Sequence, residues 1–374
     1  MVPISKSDIV EKVPDISVKT VELVLRKMLK ENKIKKIGTY FRCEVYEKMN
    51  INEIAKLADV SRAAVSRYLN NGYVSEEKKE RIKKVIEETG YRPSSQAQTL
   101  RTKKTKMIGV VLPKINSSSI SRMVAGISEV LSGSGYQMLL ANTDNNIEEE
   151  LNYLKVFKES YVDGILFVAT ILTGRHKKIL GECKVPVVIL GQSLKGYSCV
   201  YQDDFQAAKD LAEILLRGSR RPCFIGVTEK DEAVGKNRRA GFEAVLSEKR
   251  ITCAPQQFIE ADFSMESGYQ KMKELLEEIP DTDAVFCVTD SIAQGAMAAL
   301  TDDGREVPSQ VRLAGMGDTP FSRMARPRLT TVHFHYRTSG AEAAKILLEQ
   351  IDGKKTVCRE LQMGYEVIEE ESTR

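Results

Sequence analysis

NEIAKLADVSRAAVSRYLNN, residues 52–71, is the stretch that decides how the amino-terminal part of this chain folds. Apolar residues recur at positions 51, 54, 55 and 57, the spacing of a short helix with one buried face. Ala58-Asp59-Val60 is typical of a tight turn, and Ser61 is a good N-cap for a second helix. The second helix is predicted to bury Ala64, Val65, Tyr68 and Leu69. Two short helices around a tight turn are therefore expected.

The outer face of the second helix carries residues suited to DNA. Four side chains face outward near its amino-terminal end: Arg62, Ala63, Ser66 and Arg67. In a helix-turn-helix these positions reach base edges and phosphates. The alternative is a helical pair without a role at DNA.

Charge is unevenly distributed along the chain. Residues 1–48 have a net charge of +4 and residues 49–106 of +6, whereas all 374 residues sum to +4, which leaves −6 for the remainder. A basic head on a mildly acidic body suits a protein whose head meets a polyanion while its body meets another partner. A solvated basic surface would give the same numbers, so the charge is informative only together with the helical pattern.

Two further segments complete the basic head. Ser75 is predicted to cap a third, highly charged helix, EEKKERIKKVIEET, which buries Ile82, Val85 and Ile86 and ends at Gly90. The next segment, YRPSSQAQTLRTKKTK, has little to bury, so it is either a linker or a segment that folds on DNA. In the second case Pro93 begins a short helix and Leu100 is an apolar wedge that kinks the duplex from the minor groove. Three basic residues then meet phosphates: Arg101, Lys103 and Lys104.

Strand-like and helix-like segments alternate through the rest of the chain. Seven continuous apolar runs are predicted strands: 107–112, 137–141, 164–168, 186–190, 223–227, 284–288 and 311–316. Continuous apolar character marks strands that are buried on both faces, which indicates parallel sheets covered by helices. The predicted fold class is α/β, with two doubly wound lobes at about 107–200 and 205–328 and a recrossing of the chain near its end. Ligands of such folds bind at the carboxyl ends of the strands, here in the cleft between the lobes.

Several function classes are disfavoured. No apolar run approaches the roughly 18 residues that span a bilayer, and the amino terminus lacks the apolar core of a signal peptide, so a cytoplasmic protein is expected. The seven cysteines are scattered without a CxxC pair, which favours reduced thiols and no metal site. There is no GxSxG, P-loop or HExxH motif. Asp203-Asp204 and Asp302-Asp303 are carboxylate pairs at helix boundaries, where capping explains them better than acid–base chemistry. Neither an enzyme nor a cofactor is expected.

From Met49 onward the chain resembles the lactose-repressor (LacI/GalR) family of bacterial transcription regulators. The resemblance rests on INEIAKLADVSRAAVSRYLNN, GYRPSSQAQTLRTKKT and MIGVVLP, which match that family's helix-turn-helix, hinge helix and first sensor strand. It implies that Arg62, Ala63 and Arg67 read the major groove and that Leu100 intercalates from the hinge. The full set of DNA-binding residues that it implies is Ser61, Arg62, Ala63, Ser66, Arg67, Asn70, Ala97, Leu100 and Arg101.

The resemblance also implies a set of effector-binding residues. Arg238 in KNRRAGF matches an arginine that binds ligand hydroxyls or a carboxylate, with a surface arginine as the alternative. Phe263 matches an aromatic that stacks on a sugar ring, with a core phenylalanine as the alternative. Asp290 falls on a family aspartate, flanked by Thr289 and Ser291. The implied set is Asn116, Ser117, Ser119, Asn145, Arg238, Phe263, Asp290, Ser291 and Tyr336.

Two positions depart from the family pattern. Gly317 stands where many members have an aspartate that accepts sugar hydroxyls, and Gly191-Gln192 stands where an aspartate is frequent. The glycines leave room for a larger or differently oriented ligand than a plain pyranose. RPSSQAQTLRTKKTK, ANTDNN, VTEKDEAVGK and GMGD together look most like regulators of sucrose and other fructoside operons. His333 and His335 either face the cleft or are structural.

Residues 1–48 do not belong to the family pattern and resemble a second helix-turn-helix of winged type. A short helix is predicted near Lys6–Lys12, a turn at Pro14-Asp15-Ile16 and a longer helix from Val18 to Glu31. The longer helix has apolar residues at core spacing (Val21, Val24, Leu25, Met28 and Leu29) and a polar face with Lys19, Thr20, Arg26 and Lys27. Two strands hinged near Gly38-Thr39 would form a small wing. Such a unit contacts either DNA or protein.

The predicted domains are 1–48 (winged-helix-like), 49–93 (helix-turn-helix), 94–106 (hinge) and 107–374 (effector binding and dimerisation). The resemblance implies a cytoplasmic, nucleoid-associated repressor that binds a palindromic operator as a homodimer and is released by a sugar or sugar phosphate. One alternative reverses the sign, so that a small corepressor or a phosphorylated carrier protein strengthens DNA binding. Another is a ligand-binding protein or enzyme of the same fold without a DNA role.

Overall fold

A computed structural model gives the structure of the protein and describes residues 4–5, 9, 11, 17–30, 34–37, 40–43, 49–70, 72–91, 104–353 and 357–374. The chain divides into two compact units, Met1–Thr102 and Lys103–Arg374. No helix in the described ranges is both long and apolar enough to cross a membrane. The predicted α/β class is confirmed.

The first unit opens with a helix and a small antiparallel sheet. Strands β1 (Ile4–Ser5), β2 (Ile34–Ile37) and β3 (Tyr40–Cys43) pair in the order β1-β3-β2, and helix α1 spans Val18–Lys30. The predicted long helix and both strands of the wing are therefore confirmed. The short helix near Lys6–Lys12 and the turn at Pro14-Asp15-Ile16 lie largely outside the described residues.

One core residue predicted for α1 is wrong. Val21 and Leu25 are buried and Met28 and Leu29 pack against them, but Val24 is 49% exposed. At about 100° per residue, Val24 lies on the edge of the stripe that Val21, Leu25 and Met28 form. The predicted polar face of α1 is exposed.

Three helices follow: α2 (Ile51–Leu57), α3 (Arg62–Tyr68) and α4 (Glu76–Thr89). Asn50 closes a capping box with Glu53 at the start of α2, which satisfies backbone amides that a helix start leaves without partners. Gly90 ends α4, as predicted, and does so in the left-handed conformation. Ser75 occupies the predicted N-cap position of α4, although its side chain makes no capping hydrogen bond. Ile54, Ala55, Ala58, Ala64, Val65 and Ile82 form the shared core.

The segment predicted to be the hinge lies mainly outside the described residues. Pro93, Ala97, Leu100, Arg101 and Lys103 all fall there. Lys104, predicted to meet phosphate, is described, and its Nζ lies 3.2 Å from the carboxylate of Asp352. That hydrogen bond raises the pKa of Lys104.

The first lobe of the second unit is a six-stranded parallel sheet. Its strands are β4 (Met107–Leu112), β5 (Gln137–Asn142), β6 (Gly164–Val168), β7 (Val187–Leu190), β8 (Ser198–Gln202) and β14 (Glu360–Met363), in the order β14-β8-β7-β6-β4-β5. Helices α5 (Ser118–Gly133), α6 (Ile147–Val156, continued by the π-helical turn Phe157–Tyr161) and α7 (Gly174–Gly181) connect them. The central strands are wholly buried, as their continuous apolar runs predict.

The second lobe is a four-stranded parallel sheet in the order β10-β9-β11-β12. Its strands are β9 (Pro222–Gly226), β10 (Phe258–Glu260), β11 (Ala284–Cys287) and β12 (Arg312–Ala314). Its helical elements are α8 (Asp204–Leu215), the π-helical turn Glu232–Asn237, α9 (Arg238–Lys249), the 3-10 turn Pro255–Gln257, α10 (Met265–Glu278), α11 (Asp290–Asp302) and α12 (Pro320–Met324).

The carboxyl-terminal part of the chain belongs to both lobes, which confirms the predicted recrossing. Strands β13 (Thr331–Phe334) and β15 (Tyr365–Ile368) form an antiparallel pair, and Glu371–Thr373 is a short 3-10 turn. Helix α13 (Tyr336–Ile351) returns to the first lobe and packs against α5. The backbones of these two helices touch at two glycines: a Cβ on Gly126 would overlap the carbonyl oxygen of Arg337, and one on Gly340 that of Met123.

Candidate functional site

The outward face of α3 is as predicted. Arg62, Ala63 and Arg67 are exposed, Ser66 is half-buried, and Ala64 and Val65 face the core. Two long cationic side chains and one methyl group thus stand on one side of a helix whose other side is packed against the core; their contact with DNA stays a prediction.

Two other residues of the implied DNA-binding set have partners within the same helix. The hydroxyl of Ser61 accepts the backbone N–H of Ala64 at 3.2 Å as the N-cap. The side-chain amide of Asn70 donates to the carbonyl of Ser66. Both side chains therefore contribute to the shape of α3, and their contact with DNA stays a prediction.

Arg81, which the sequence did not single out, ties α4 to the turn between α2 and α3. Its Nε donates to the carbonyl of Ala58 at 3.0 Å, and its Nη2 donates to the carbonyl of Asp59 at 2.7 Å and to the Asp59 carboxylate at 2.6 Å. Asp59 has φ +48°, in the left-handed region that non-glycine residues rarely adopt. Arg81 thus holds a strained turn and, through it, the angle at which α3 is presented.

The second candidate site is the cleft between the lobes, where the strands of both sheets end. Arg238, at the start of α9, is 3% exposed and pairs with the equally buried Asp204 through Nε and Nη2, both 2.7 Å from Oδ1. Its Nη1 donates to the carbonyl of Val288 at 2.6 Å, and its guanidinium lies 5.0 Å from the ring centre of Phe334. A hydrogen bond also joins it to Tyr336. The surface-arginine alternative is therefore wrong.

Asp204 was expected to be explained by helix capping, but it is the buried partner of Arg238. Helix capping at the Asp203-Asp204 pair is performed by Asp203, whose carboxylate accepts the N–H of Gln206 at 3.2 Å. Burial raises the pKa of Asp204, although the charge of Arg238 opposes that rise. The two residues are 34 positions apart, so nothing in the local pattern could reveal the pair.

Asp290 is 1% exposed and its carboxylate is fully engaged by protein donors. Oδ1 accepts the hydroxyl of Thr331 at 2.6 Å, and Oδ2 accepts the N–H and the hydroxyl of Thr319 at 2.8 and 3.0 Å. Burial raises the pKa of this carboxyl, and the hydrogen bonds oppose the rise. Asp290 therefore anchors the segment after β12 to the start of α11.

That anchor gives a physical reason for Gly317. Its φ is +146°, and a Cβ placed on it would lie 3.6 Å from the Asp290 carboxylate. An aspartate there would combine an unfavourable backbone conformation with a second carboxylate beside a buried one. The replacement of the family's aspartate is therefore built into the surrounding structure.

On the first lobe, Gln192 bridges toward the second. Its amide nitrogen donates to the carbonyl of Thr170 and lies 3.4 Å from the carboxylate of Asp231, which caps the π-helical turn through the N–H groups of Ala233 and Val234. Burial raises the pKa of Asp231 to about 6. The lobes therefore touch at a polar contact beside Gly191.

Arg122, on α5, makes a second contact between the lobes. It donates Nη2 to the carbonyl of Gly317, and its Nη1 lies 3.5 Å from the carbonyl of Asp318. Its Nε donates to the carbonyl of Ser118 at 3.2 Å, and its guanidinium lies 5.2 Å from the ring centre of Tyr336. Local pattern could not single out this residue, because its partners in the other lobe, Gly317 and Asp318, are almost 200 positions away in the chain.

His333 is structural rather than free to face a ligand. Its Nδ1 lies 2.7 Å from the buried carboxylate of Asp318, which also pairs with Arg323. Burial by itself would raise the pKa of the Asp318 carboxyl. The hydrogen bonds from Arg323 and His333 outweigh burial, and the pKa of Asp318 is lowered. His335 is half-buried, and its Nε2 lies 4.0 Å from the carboxylate of Glu366.

The remaining residues of the implied effector set lie at the carboxyl ends of the strands. The hydroxyls of Ser117 and Ser119 lie 2.9 Å apart. Asn116, Asn145 and Ser291 are exposed, and Phe263 is half-buried against the main core, close to its core-phenylalanine alternative. Among the described residues, no hydrogen bond joins the side chains of Asn116, Asn145 and Ser291 to the rest of the implied effector set. The contact of all these residues with an effector stays a prediction.

Two family descriptions match the chain. "Bacterial regulatory proteins, lacI family" matches residues 50–94, and "Periplasmic binding protein-like domain" matches residues 211–373. The first covers the three-helix head and the second covers much of the second lobe and the recrossing segment.

Similar proteins cover most of the chain. The sucrose operon repressor of Staphylococcus xylosus is 34% identical, over 81% of this chain and 93% of that protein. The ribose operon repressor of Halalkalibacterium halodurans is 31% identical, over 87% of this chain and 97% of that protein. Both relatives are transcriptional regulators by name.

Solved structures with the same fold are also found. A transcriptional regulator CelR–cellobiose complex superimposes with a TM-score of 0.67 at 27% identity, over 87% of this chain and 99% of that chain. The lac repressor dimer bound to operator and an anti-inducer superimposes with a TM-score of 0.79 over the same shares. At 22% identity, the latter likeness shows the fold alone.

Proposed function

Because the chain belongs to the lacI family of bacterial regulatory proteins, we propose that it is a sequence-specific transcriptional repressor of a carbohydrate utilisation operon. The observation that carries this proposal is the surface of α3, where Arg62, Ala63 and Arg67 are exposed on a capped helix with a fixed inner face. Arginine forks recognise guanine edges and phosphates, and a small alanine allows close approach to a base.

On the DNA side, each head recognises one half-site of a two-fold symmetric operator. Two subunits of a homodimer present their α3 helices to the two half-sites of a palindromic operator. Residues 49–93 form this head, residues 94–106 the hinge with its wedge Leu100, and residues 1–48 an additional contact unit. The protein acts in the bacterial cytoplasm, on the nucleoid.

On the effector side, a small sugar binds in the cleft of residues 107–374 and releases the operator. Binding changes the affinity for DNA only if the effector prefers one arrangement of the lobes. The likeness to a sucrose operon repressor supports a sucrose or fructoside pathway. The cellobiose complex of a similar regulator supports a sugar as the ligand class.

The second candidate is a repressor whose DNA binding is strengthened by its effector. The glycines at positions 191 and 317 favour this alternative. Gly191 and Gly317 remove two carboxylates that would accept sugar hydroxyls, and Gln192 and Arg122 already hold the lobes together. An effector that strengthens this arrangement would act as a corepressor, as would a phosphorylated carrier protein that binds the lobes from outside.

Operator binding tests the proposal directly. Fluorescence anisotropy of operator fragments with the full-length protein is titrated with sucrose, fructose, fructose phosphates, galactosides and purines. Release by one sugar supports the inducible repressor, whereas tighter binding supports the corepressor. The variant Arg62→Gln is expected to lose preference for the operator over random DNA, while Arg217→Gln, on the second unit, keeps it. Equal effects of the two variants contradict the assigned role of α3.

A further inference from the structure

Arg122 is a cationic group of the cleft whose contacts in the described structure are all to uncharged groups. Its donors reach three carbonyl oxygens, of Ser118, Gly317 and Asp318, and an aromatic ring. It forms no ion pair with any residue in the described ranges. Carbonyl oxygens carry partial charge only, so this half-buried guanidinium has no full negative charge in contact with it.

The other charged groups of the cleft either form ion pairs or contact neutral donors only. Arg238 pairs with Asp204. Asp318 turns its carboxylate to Arg323 and His333 while its carbonyl faces Arg122. The carboxyls of Asp231 and Asp290 accept hydrogen bonds from neutral amide and hydroxyl donors.

The two glycines increase the positive character of the site. Aspartates at 191 and 317 would add two negative charges on the carboxyl edges of the two sheets, and Gly317 is the residue whose carbonyl Arg122 contacts. A neutral sugar entering the cleft would leave the guanidinium with carbonyl partners alone. An oxyanion would supply two acceptors in the geometry that the planar fork prefers.

We propose that Arg122 selects an anionic effector, a sugar that carries a phosphate or a carboxylate, and that this anion takes the place of the Gly317 and Asp318 carbonyls on the guanidinium. The inference rests on the proposed function, because it takes the cleft as the effector site. It adds that the negative group, rather than the hydroxyl pattern, supplies the discrimination. It also makes the effector an agent that breaks one contact between the lobes.

Matched ligand pairs test the proposal by isothermal titration calorimetry with the full-length protein. The pairs are fructose and fructose 6-phosphate, sucrose and sucrose 6-phosphate, and glucose and glucuronate, with inorganic phosphate as a separate ligand. A charge-assisted hydrogen bond predicts that the anionic member binds about 10- to 100-fold more tightly than its neutral partner. The phosphate and carboxylate pairs distinguish the two sources of negative charge.

Variants then assign the preference to Arg122. Arg122→Gln is expected to abolish the preference for the anion while changing the affinity for the neutral sugar by less than about 3-fold, and Arg122→Lys to retain part of it. Arg217→Gln is the matched control, because Arg217 is 60% exposed and pairs with Glu369. A wild type that binds the neutral member equally well, or an Arg122→Gln variant that weakens both members alike, overturns the proposal. Tight binding of inorganic phosphate with no gain from the sugar overturns it also.

The calorimetric result is independent of DNA, so the two proposals fail separately. Operator release by a neutral sugar, without any anion preference, leaves the repressor function standing and removes the role of Arg122. Anion binding without any operator binding supports the role of Arg122 and removes the repressor function. Anisotropy titrations with sugar phosphates are compared at constant ionic strength, because added anions weaken protein–DNA binding by themselves.

Discussion

Replacing Arg238 with methionine is expected to destabilise the second unit strongly at neutral pH. The variant leaves the Asp204 carboxylate, 4% exposed, without the guanidinium that now contacts it at 2.7 Å. It also removes the donor to the carbonyl of Val288. Breaking a buried ion pair by removing one partner costs about 3–5 kcal/mol, a large part of the roughly 5–15 kcal/mol that stabilises a typical domain.

The pH dependence of that loss follows from the pKa of Asp204. Burial already raises this pKa, and loss of Arg238 raises it further. A carboxyl whose pKa is higher in the folded than in the unfolded state destabilises the fold at pH values above its folded pKa, and the cost is relieved as pH falls through that value. The deficit of Arg238→Met is therefore expected to be largest at pH 7.5 and smaller at pH 5. Urea unfolding followed by circular dichroism measures it.

Two comparisons make this test decisive. The double variant Arg238→Met with Asp204→Leu is expected to recover most of the lost stability, because no unpaired charge remains. Arg239→Met, which removes exposed ion pairs with Glu229 and Glu243, is expected to cost at most about 1 kcal/mol. Losses that simply add in the double variant, or equal losses at residues 238 and 239, would refute the buried-pair reasoning.

Three further substitutions have defined outcomes. Arg81→Met should lower operator affinity about 10-fold in anisotropy titrations, because the turn at Asp59 loses its hydrogen bonds from Arg81. The helical circular dichroism of the head should be retained. An unchanged affinity would exclude this positioning role. Asp231→Asn should raise the melting temperature at pH 7.5, by an amount that corresponds to at most about 3 kcal/mol, because the pKa of Asp231 is raised to about 6. That gain should vanish as pH falls from 6 to 4, and a gain that does not change with pH would contradict it. Gly317→Asp should lower the melting temperature more than Gly317→Ala does, since only the aspartate adds a charge beside Asp290; the difference should shrink at pH 4.5 in thermal melts.

Much of the fold could be predicted from local pattern. Continuous apolar runs identified the central strands β4, β6 and β7 because a strand buried on both faces needs apolar residues throughout. Three strands of the two parallel sheets had no counterpart among the seven predicted runs: Ser198–Gln202, Phe258–Glu260 and Glu360–Met363. The second is an edge strand of three residues, and the third alternates exposed and half-buried positions, so neither presents a long apolar run.

The candidate site was less accessible to sequence reasoning. The outward face of α3 could be predicted because a helix period fixes which side chains share a face. The pairs that organise the cleft could not, since Arg238 and Asp204, Gln192 and Asp231, and Arg122 and Gly317 are brought together only by the packing of separate elements. Gly317 itself was recognised as a departure, but its reason, the carboxylate of Asp290 nearby, required the fold.

The direct backbone contact of α5 and α13 has a mechanical consequence. Interdigitated side chains can change rotamer and absorb a displacement, whereas two backbones in contact at Gly126 and Gly340 leave nothing to repack. The two helices, each roughly 24 Å long for its 16 residues, are therefore expected to move as one body. Arg122 stands one turn from Gly126, and Tyr336 opens α13 at the same end. A displacement of Arg122 or Tyr336 is therefore expected to move the far ends of the two helices, at Gly133 and Ile351, together.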